Sequence, residues 1–138
     1  MSRTLTLIGD VNAVDTRTVL TGQGSVTAPS LVVPSGMTKI SKVIACIAAD
    51  NLANNGAVAA LLRLGGSAVL GGEQVIVFAG LGGMVVQTGS DAAPSISHPF
   101  VLNDVDIAVQ ASDSITVSVE MAGVDPGDSA VAITLVYA

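Results

Sequence analysis

A strict alternation of apolar and polar residues near the end of the sequence is the feature that most limits its fold. From Ser114 to Met121 every odd position is apolar and every even position is polar or charged. Successive side chains of a β-strand point to opposite faces, so a period of two predicts a strand with one face in a core and the other in water. Residues 105–111 show the same alternation except at Ala108. Ser112-Asp113, between the two segments, favours a turn.

These two segments are predicted to pair as a hairpin, with a closing strand at 130–137 in the same core sheet. Their core-facing side chains should be those on the apolar phase of the alternation. The predicted inward set is Ile107, Val109, Ile115, Val117, Val119, Ile133 and Leu135.

The other apolar segments are short and separated by Gly, Asn, Asp, Ser or Pro, which is typical of many short strands. Residues 39–49 are apolar on both faces, which predicts a strand that is central in a sandwich or lies against another subunit. Residues 52–64 fit a helical stripe or a strand after an Asn55-Gly56 turn, and we favour the strand. Further strands are predicted at 4–8, 15–20, 25–33, 74–79, 84–87 and 99–102.

The strand count predicts the fold class. Eight to ten short strands without crossover helices indicate an all-β protein, an antiparallel two-sheet sandwich, rather than a parallel α/β fold. A chain of 138 residues with no repeat and no linker-like segment is the size of one domain, so residues 1–138 are predicted to form a single one.

Charge is scarce in this sequence. Only 12% of the residues are charged and 50% are hydrophobic, so few charges are available to cover the surface. Exposed apolar patches usually mark interaction surfaces, and we expect a homo-oligomer, most simply a trimer or a pentamer.

The formal net charge of -6 repels phosphate, so we expect no direct nucleic-acid binding. No apolar run approaches the roughly 18 residues that span a bilayer, so we expect no membrane span.

Residues for catalysis are equally few. Nucleophilic catalysis needs a nucleophile and a base, and Cys46 and His98 are the only cysteine and histidine. The apolar neighbours of Cys46 indicate a buried, inert thiol rather than half of a dyad. His98 is more typical of a solvent-facing or hydrogen-bonded side chain. We therefore predict no catalytic residue, no cofactor and no enzyme activity.

The aspartates are the candidate metal ligands. Asp104 and Asp106 are predicted to share a strand face, and Asp113, Asp125 and Asp128 fall in turns where oxygen ligands could converge on calcium. Aspartates are common in turns because they bind their own backbone. No metal site is therefore predicted.

Binding platforms are also sparse. The glycine loop at 80–83 lacks the Lys-Ser/Thr of a phosphate loop. Sugars and single-stranded nucleic acids are often bound by stacking on exposed aromatic rings. Phe78, Phe100 and Tyr137 lie in or beside apolar strands and are predicted to belong to the core.

One segment resembles a known group of proteins. Residues 28–43, with the sequence APSLVVPSGMTKISKV, resemble the early strand-turn-strand of small viral jelly-roll capsid and capsid-decorating proteins. In that group a strand ending in Val-Pro-x-Gly leads into a long inner strand. The terminal strands are similar to the group in being rich in valine and threonine and poor in aromatic residues.

The resemblance implies a sandwich of the jelly-roll type and a role as a virion structural protein. It implies a capsid or decoration subunit without catalytic residues, which self-associates around a symmetry axis and contacts other capsid proteins. The start of the sequence lacks the apolar stretch of a secretory signal, so we expect synthesis in the host cytoplasm before incorporation into the virion.

Two other classes of function remain open. A ligand-binding or adhesive β-sandwich, as in a fibre or host-surface module, would be indicated by a convergent polar pocket. An enzyme would require pairs of Asp or Glu that face one cleft.

Overall fold

The structure is a computed structural model that describes residues 3–11, 15–22, 30–49, 59–78, 96–122 and 129–138. These residues form nine β-strands and no helix, in two antiparallel sheets, which confirms the all-β class and the two-sheet sandwich. The strands are β1 Arg3–Val11, β2 Thr18–Leu20, β3 Lys39–Ala49, β4 Ala59–Gly65, β5 Gln74–Phe78, β6 Ile96–Leu102, β7 Ile107–Ala108, β8 Thr116–Ala122 and β9 Ser129–Tyr137.

The order of the strands follows from a simple pairing scheme. The first sheet has the order β1-β9-β3-β6, with β7 also pairing with β3, and the second has the order β2-β8-β4-β5. Leaving β7 aside, the pairs β1–β9, β2–β8, β3–β6 and β4–β5 are those of one long hairpin closed at β4–β5. When that hairpin is folded into two sheets, the connections between consecutive described strands run from one sheet to the other. The exceptions are β4–β5 and β6–β7, which stay within one sheet.

The predicted pairing of 105–111 with 115–121 is wrong. β7 pairs with β3 in the first sheet, whereas β8 pairs with β2 and β4 in the second. Between them Ser112 has a φ of 69°, a left-handed conformation in the turn that takes the chain towards the other sheet. Alternation reveals which face of a strand is buried, but two strands on opposite sheets face the same core and carry the same pattern.

The predicted inward positions are nevertheless correct. Ile107 is partly buried against the core, and the other six residues of the predicted set are buried. Both sheets contribute to this core: Leu7 and Ile47 come from the first, and Leu62 and Met121 from the second, with at most 1% of each side chain exposed.

The other predicted strands differ from the observed ones mainly in length. Residues 4–8, 74–79 and 99–102 overlap β1, β5 and β6, while 15–20 yields only the short β2. The described part of 52–64 is β4, so the strand was the correct choice there. In 25–33 the described residues contain one isolated bridge, between Val32 and Ser114. Asn55-Gly56, the loop at 80–83 and the strand predicted at 84–87 lie outside the described residues.

At one end of the sandwich three connections are joined to each other by backbone hydrogen bonds: residues 30–38, 66–73 and 103–115. Gly66 is required for this contact, because it has a φ of 89° and an added Cβ would lie 2.7 Å from the carbonyl oxygen of Ser114. The bonds include Val33 N to Asp113 O at 2.9 Å, Ser112 N to Val33 O at 2.8 Å, Gln110 N to Ala68 O at 2.7 Å and Ala68 N to Ser114 O at 3.0 Å.

We expect Val117→Asp to prevent folding and Thr116→Asp to permit it. Val117 is fully buried in β8, and an unpaired carboxylate there costs several kcal/mol, a large part of the roughly 5–15 kcal/mol of a domain's total stability. Thr116 is the next residue and is exposed. Urea unfolding of the two variants, followed by circular dichroism, is the measurement. Equal stability of both would contradict the inward assignment of β8.

Candidate functional site

Exposed apolar side chains are concentrated along one side of the sandwich. Eight large apolar residues are exposed in the described part of the chain, and half of them lie on the edge strands β5 and β6. These are Val75 at 51%, Val77 at 57%, Val101 at 52% and Leu102 at 37% exposure, which together we call the β5–β6 side. β5 pairs only with β4 and β6 only with β3 among the described strands, so no described strand covers the other edge of either.

Two phenylalanines hold this side together. The rings of Phe78 in β5 and Phe100 in β6 have centroids 4.9 Å apart and planes inclined at 40°. Phe78 is buried and Phe100 is partly buried against the core, so the prediction that both belong to the core is confirmed. Because the two strands belong to different sheets, this contact fixes the spacing of the sheets beneath the exposed valines.

The opposite side of the sandwich is formed by β1 and β2. The backbone N–H of Ile8 donates to the carbonyl of Gly22 at 2.8 Å, which links the two sheets at this edge. Ile8 and Val19 are exposed here at 45% and 51%. We call these two residues the β1–β2 side. It is a second, smaller apolar surface across the molecule from the first.

The outer face of the second sheet carries ion pairs. Arg63 lies 2.9 Å from Glu120 and 3.8 Å from Glu73, and Arg17 lies 3.1 Å from Glu73. Arg63 and Glu120 are less than one-fifth exposed, whereas the Arg17–Glu73 pair is open to water and contributes little to stability. The charges on this face therefore already have partners.

The outer face of the first sheet is less polar. The register places Ile44 beside Val101, and Ile8 in the same row as Ala132 and Cys46. Both outer faces thus carry aliphatic side chains, and the ion pairs lie on the second sheet, where Val75 and Val77 are the register partners of Arg63 and Leu61.

Cys46 is partly exposed, so the prediction of a buried thiol is wrong. It lies on the outer face of β3, where its apolar neighbours in sequence point alternately to the core and to this face. When both faces of a strand are apolar, its sequence does not indicate which face is buried in the core. The backbone register pairs Cys46 with Pro99 and His98 with Ile47, so the two residues of the possible dyad are not opposite each other.

We expect a thiol reagent such as iodoacetamide to modify Cys46 in the folded protein. Partial exposure lets the reagent reach the sulfur without unfolding. Mass spectrometry should detect complete modification under native conditions, at a rate below that of the chain unfolded in urea because the thiol is only partly exposed. Modification that begins only when the protein unfolds would contradict the exposed position.

The candidate aspartates do not form a shared strand face. β6 ends at Leu102, and Asp104 has a φ of 55°, which takes it out of the strand. Asp104 and Asp106 are both exposed in the connection to β7. Among the described residues no three His, Cys, Asp or Glu side chains are grouped so as to hold a metal ion. Asp125 and Asp128 lie outside the described part.

A cavity of about 530 Å³ opens beside the start of β1. β1 forms one wall, residues 30–35 form another, and Ser112 and Tyr137 complete the lining. Residues that carry hydroxyl groups are frequent in the lining: Thr4, Thr6, Ser30, Ser35 and Ser112. The cavity depends on the hydrogen-bonded end of the sandwich, because that network holds the segment 30–35 opposite β1.

Tyr137 is the unusual residue of this cavity. It is 1% exposed, as predicted for a core residue, but its hydroxyl has no hydrogen-bond partner in the described structure. Burial raises the pKa of Tyr137 to about 12, so the phenol stays protonated at neutral pH. Buried tyrosine hydroxyls usually have a partner, and leaving one without any is unfavourable. No pattern in the sequence indicates such an unpaired group.

We expect Tyr137→Phe to stabilise the protein by about 1 kcal/mol at neutral pH, because it removes a buried group without a partner. The difference should grow at high pH. The pKa of Tyr137 is about 12 in the folded chain and about 10 in the unfolded chain, so stability present below pH 10 is lost as pH rises towards 12. Urea unfolding of both proteins across this range tests the prediction. A parallel pH dependence of the two would contradict it.

No helix in the described residues is long and apolar enough to cross a membrane. Comparisons of the sequence with protein-family models and with curated proteins find no match. The function must therefore be inferred from the chain's own fold, surfaces and cavity.

Proposed function

We propose that this protein is a virion structural protein, a capsid or capsid-decorating subunit that acts by self-assembly and performs no catalysis. The observation that carries the proposal is the β5–β6 side, where four exposed aliphatic side chains lie on two strands whose outer edges pair with no described strand. Such surfaces mark protein contacts. We take a second copy of the same chain as the partner, and other capsid proteins as further contacts in the virion.

The strand order supports a jelly-roll form of the sandwich. Jelly rolls contain eight strands in two sheets built from Greek keys, and they occur in viral capsid domains and in lectins. The wrapped-hairpin pairing of β1–β9, β2–β8, β3–β6 and β4–β5 agrees with this topology. Because a fold alone does not determine function, the topology supports the proposal only together with the apolar surfaces.

The segment that resembles viral capsid proteins also has a suitable local structure. Met37 N donates to Pro34 O at 3.2 Å, and Gly36 takes a φ of 84°, so Val-Pro-Ser-Gly forms a turn. This turn leads into β3, a long strand that lies inside the first sheet between β9 and β6. Both features are expected from the resemblance.

Ring symmetry indicates which surfaces should meet. In a trimer or a pentamer each interface joins two different surfaces, one from each neighbour. The β5–β6 side and the β1–β2 side are different surfaces at opposite ends of the two sheets, so one can meet the other on a neighbouring copy, and a ring forms if the rotation between copies closes. Burying the exposed parts of their aliphatic side chains contributes roughly 1 kcal/mol each. Association costs about 4–15 kcal/mol, so backbone hydrogen bonds from the outer strand edges should contribute as well.

We expect Val77→Glu and Val19→Glu each to dissociate the oligomer, because each places a charge in one half of the same interface. Leu70→Glu is the matched control, since Leu70 is 51% exposed but lies at the end of the sandwich. Sedimentation or light scattering measures the mass, and electron microscopy of the wild type identifies rings or shells. Circular dichroism verifies that all three variants fold.

A mixture of the two variants gives a sharper test. Val77→Glu leaves the β1–β2 side intact and Val19→Glu leaves the β5–β6 side intact, so equal amounts should form a one-to-one dimer and no ring. A wild type that is strictly monomeric at micromolar concentration would refute the proposal. Loss of assembly in Leu70→Glu to the same extent would refute the assigned interface.

The cavity beside β1 favours a second candidate function. A ligand-binding or adhesive β-sandwich is expected to contain a pocket with convergent polar groups, and this cavity is lined by hydroxyls, Arg3 and Tyr137. Binding of a ligand there and assembly through the two sides use different side chains, although β1 contributes to both.

A further inference from the structure

We infer that the cavity beside β1 binds a small organic carboxylate, with Arg3 and the Tyr137 hydroxyl as its polar contacts and an aliphatic wall around its apolar part. This inference does not rest on the proposed assembly, and it names a ligand class for the cavity of the second candidate function. Three properties of the lining carry the inference: its charge, its unpaired donor and its apolar wall.

The charge of the cavity is opposite to that of the protein. Arg3 is the one charged residue among the described residues of the lining, and none of these residues contributes a carboxylate. The whole chain has a formal net charge of -6, so a positive cavity is a local exception. Guanidinium groups bind carboxylates through two parallel hydrogen bonds, which makes a carboxylate the best-matched anion.

The Tyr137 hydroxyl supplies a donor that needs an acceptor. Tyr137 lines the cavity, and its buried hydroxyl has no partner in the described structure. Because the phenol remains protonated at neutral pH, it can donate to a ligand oxygen. A ligand atom that accepts this bond is itself shielded from water, and hydrogen bonds are stronger in such surroundings.

The aliphatic wall favours an organic ligand over a bare inorganic anion. Leu5, Val33 and Pro34 line the cavity beside the polar groups. The volume of about 530 Å³ lies within the range of small-molecule sites, roughly 300–1,000 Å³, and exceeds what one carboxylate fills. A short alkyl or aromatic acid would occupy both parts of the lining.

The chain contains an intrinsic fluorophore at this site. Tyr137 is the only tyrosine and there is no tryptophan, so the fluorescence of the folded protein comes from the cavity itself. Hexanoate, its uncharged analogue 1-hexanol and inorganic phosphate are the probes. We expect hexanoate to change the emission in a saturable manner, with a dissociation constant on the order of 1 mM or below. Hexanol and phosphate should each bind at least about tenfold more weakly.

Two substitutions locate the binding. Arg3→Gln should weaken hexanoate binding by about tenfold, because a charge-assisted hydrogen bond is lost. Arg17→Gln is the matched control, since Arg17 lies outside the cavity lining and should leave the affinity unchanged. Tyr137→Phe should also weaken binding, measured by calorimetry because this variant lacks the fluorophore.

The outcomes separate the parts of the inference. Absence of saturable hexanoate binding, or equal binding of hexanol, would overturn carboxylate recognition. Phosphate that binds as tightly as hexanoate would overturn the role of the aliphatic wall. Equal losses in Arg3→Gln and Arg17→Gln would overturn the site. Mass measurements on the same samples keep these results distinct from failure of assembly.

Discussion

The position of β9 between β1 and β3 is the constraint on which the rest of the structure depends. This strand aligns inner-facing residues of three strands into continuous rows, such as Leu5–Leu135–Val43 and Leu7–Ile133–Ala45. Every residue of these rows is at most 5% exposed. A slip of one residue would turn an entire row outwards, so the register and the core stabilise each other. The same alignment sets Tyr137 beside Arg3 and thereby defines one wall of the cavity.

Different surfaces of the sandwich carry different kinds of side chain. Ion pairs occupy the outer face of the second sheet, aliphatic residues lie on the two sides, and the unpaired phenol is enclosed beside β1. With so few charges in the sequence, the exposed side chains of the described edge strands β5 and β6 include four aliphatic ones, which favours association. The proposed ring and the proposed ligand site therefore use different side chains.

Much of the fold was predictable from the sequence because burial leaves a pattern of period two. That pattern located β8 and the inward residues Val117 and Val119, and the doubly apolar segment located β3. It could not assign β7 and β8 to different sheets, because partners are chosen by contacts between distant segments. Exposure of Cys46 and the missing partner of Tyr137 were unpredictable for the same reason: both depend on which other strands lie nearby.

The pairing of the first strand with the last has a consequence for biosynthesis. Thr6 and Thr134 share a hydrogen bond across 128 positions of sequence, and β1 pairs with no described strand other than β9. While a ribosome is still making the chain, β1 and β3 lack the strand that belongs between them. The first sheet can close only after residues 129–137 have left the ribosomal exit tunnel, so it closes after all the other described strands have been made. Nascent fragments would therefore lack the finished sandwich that assembly requires.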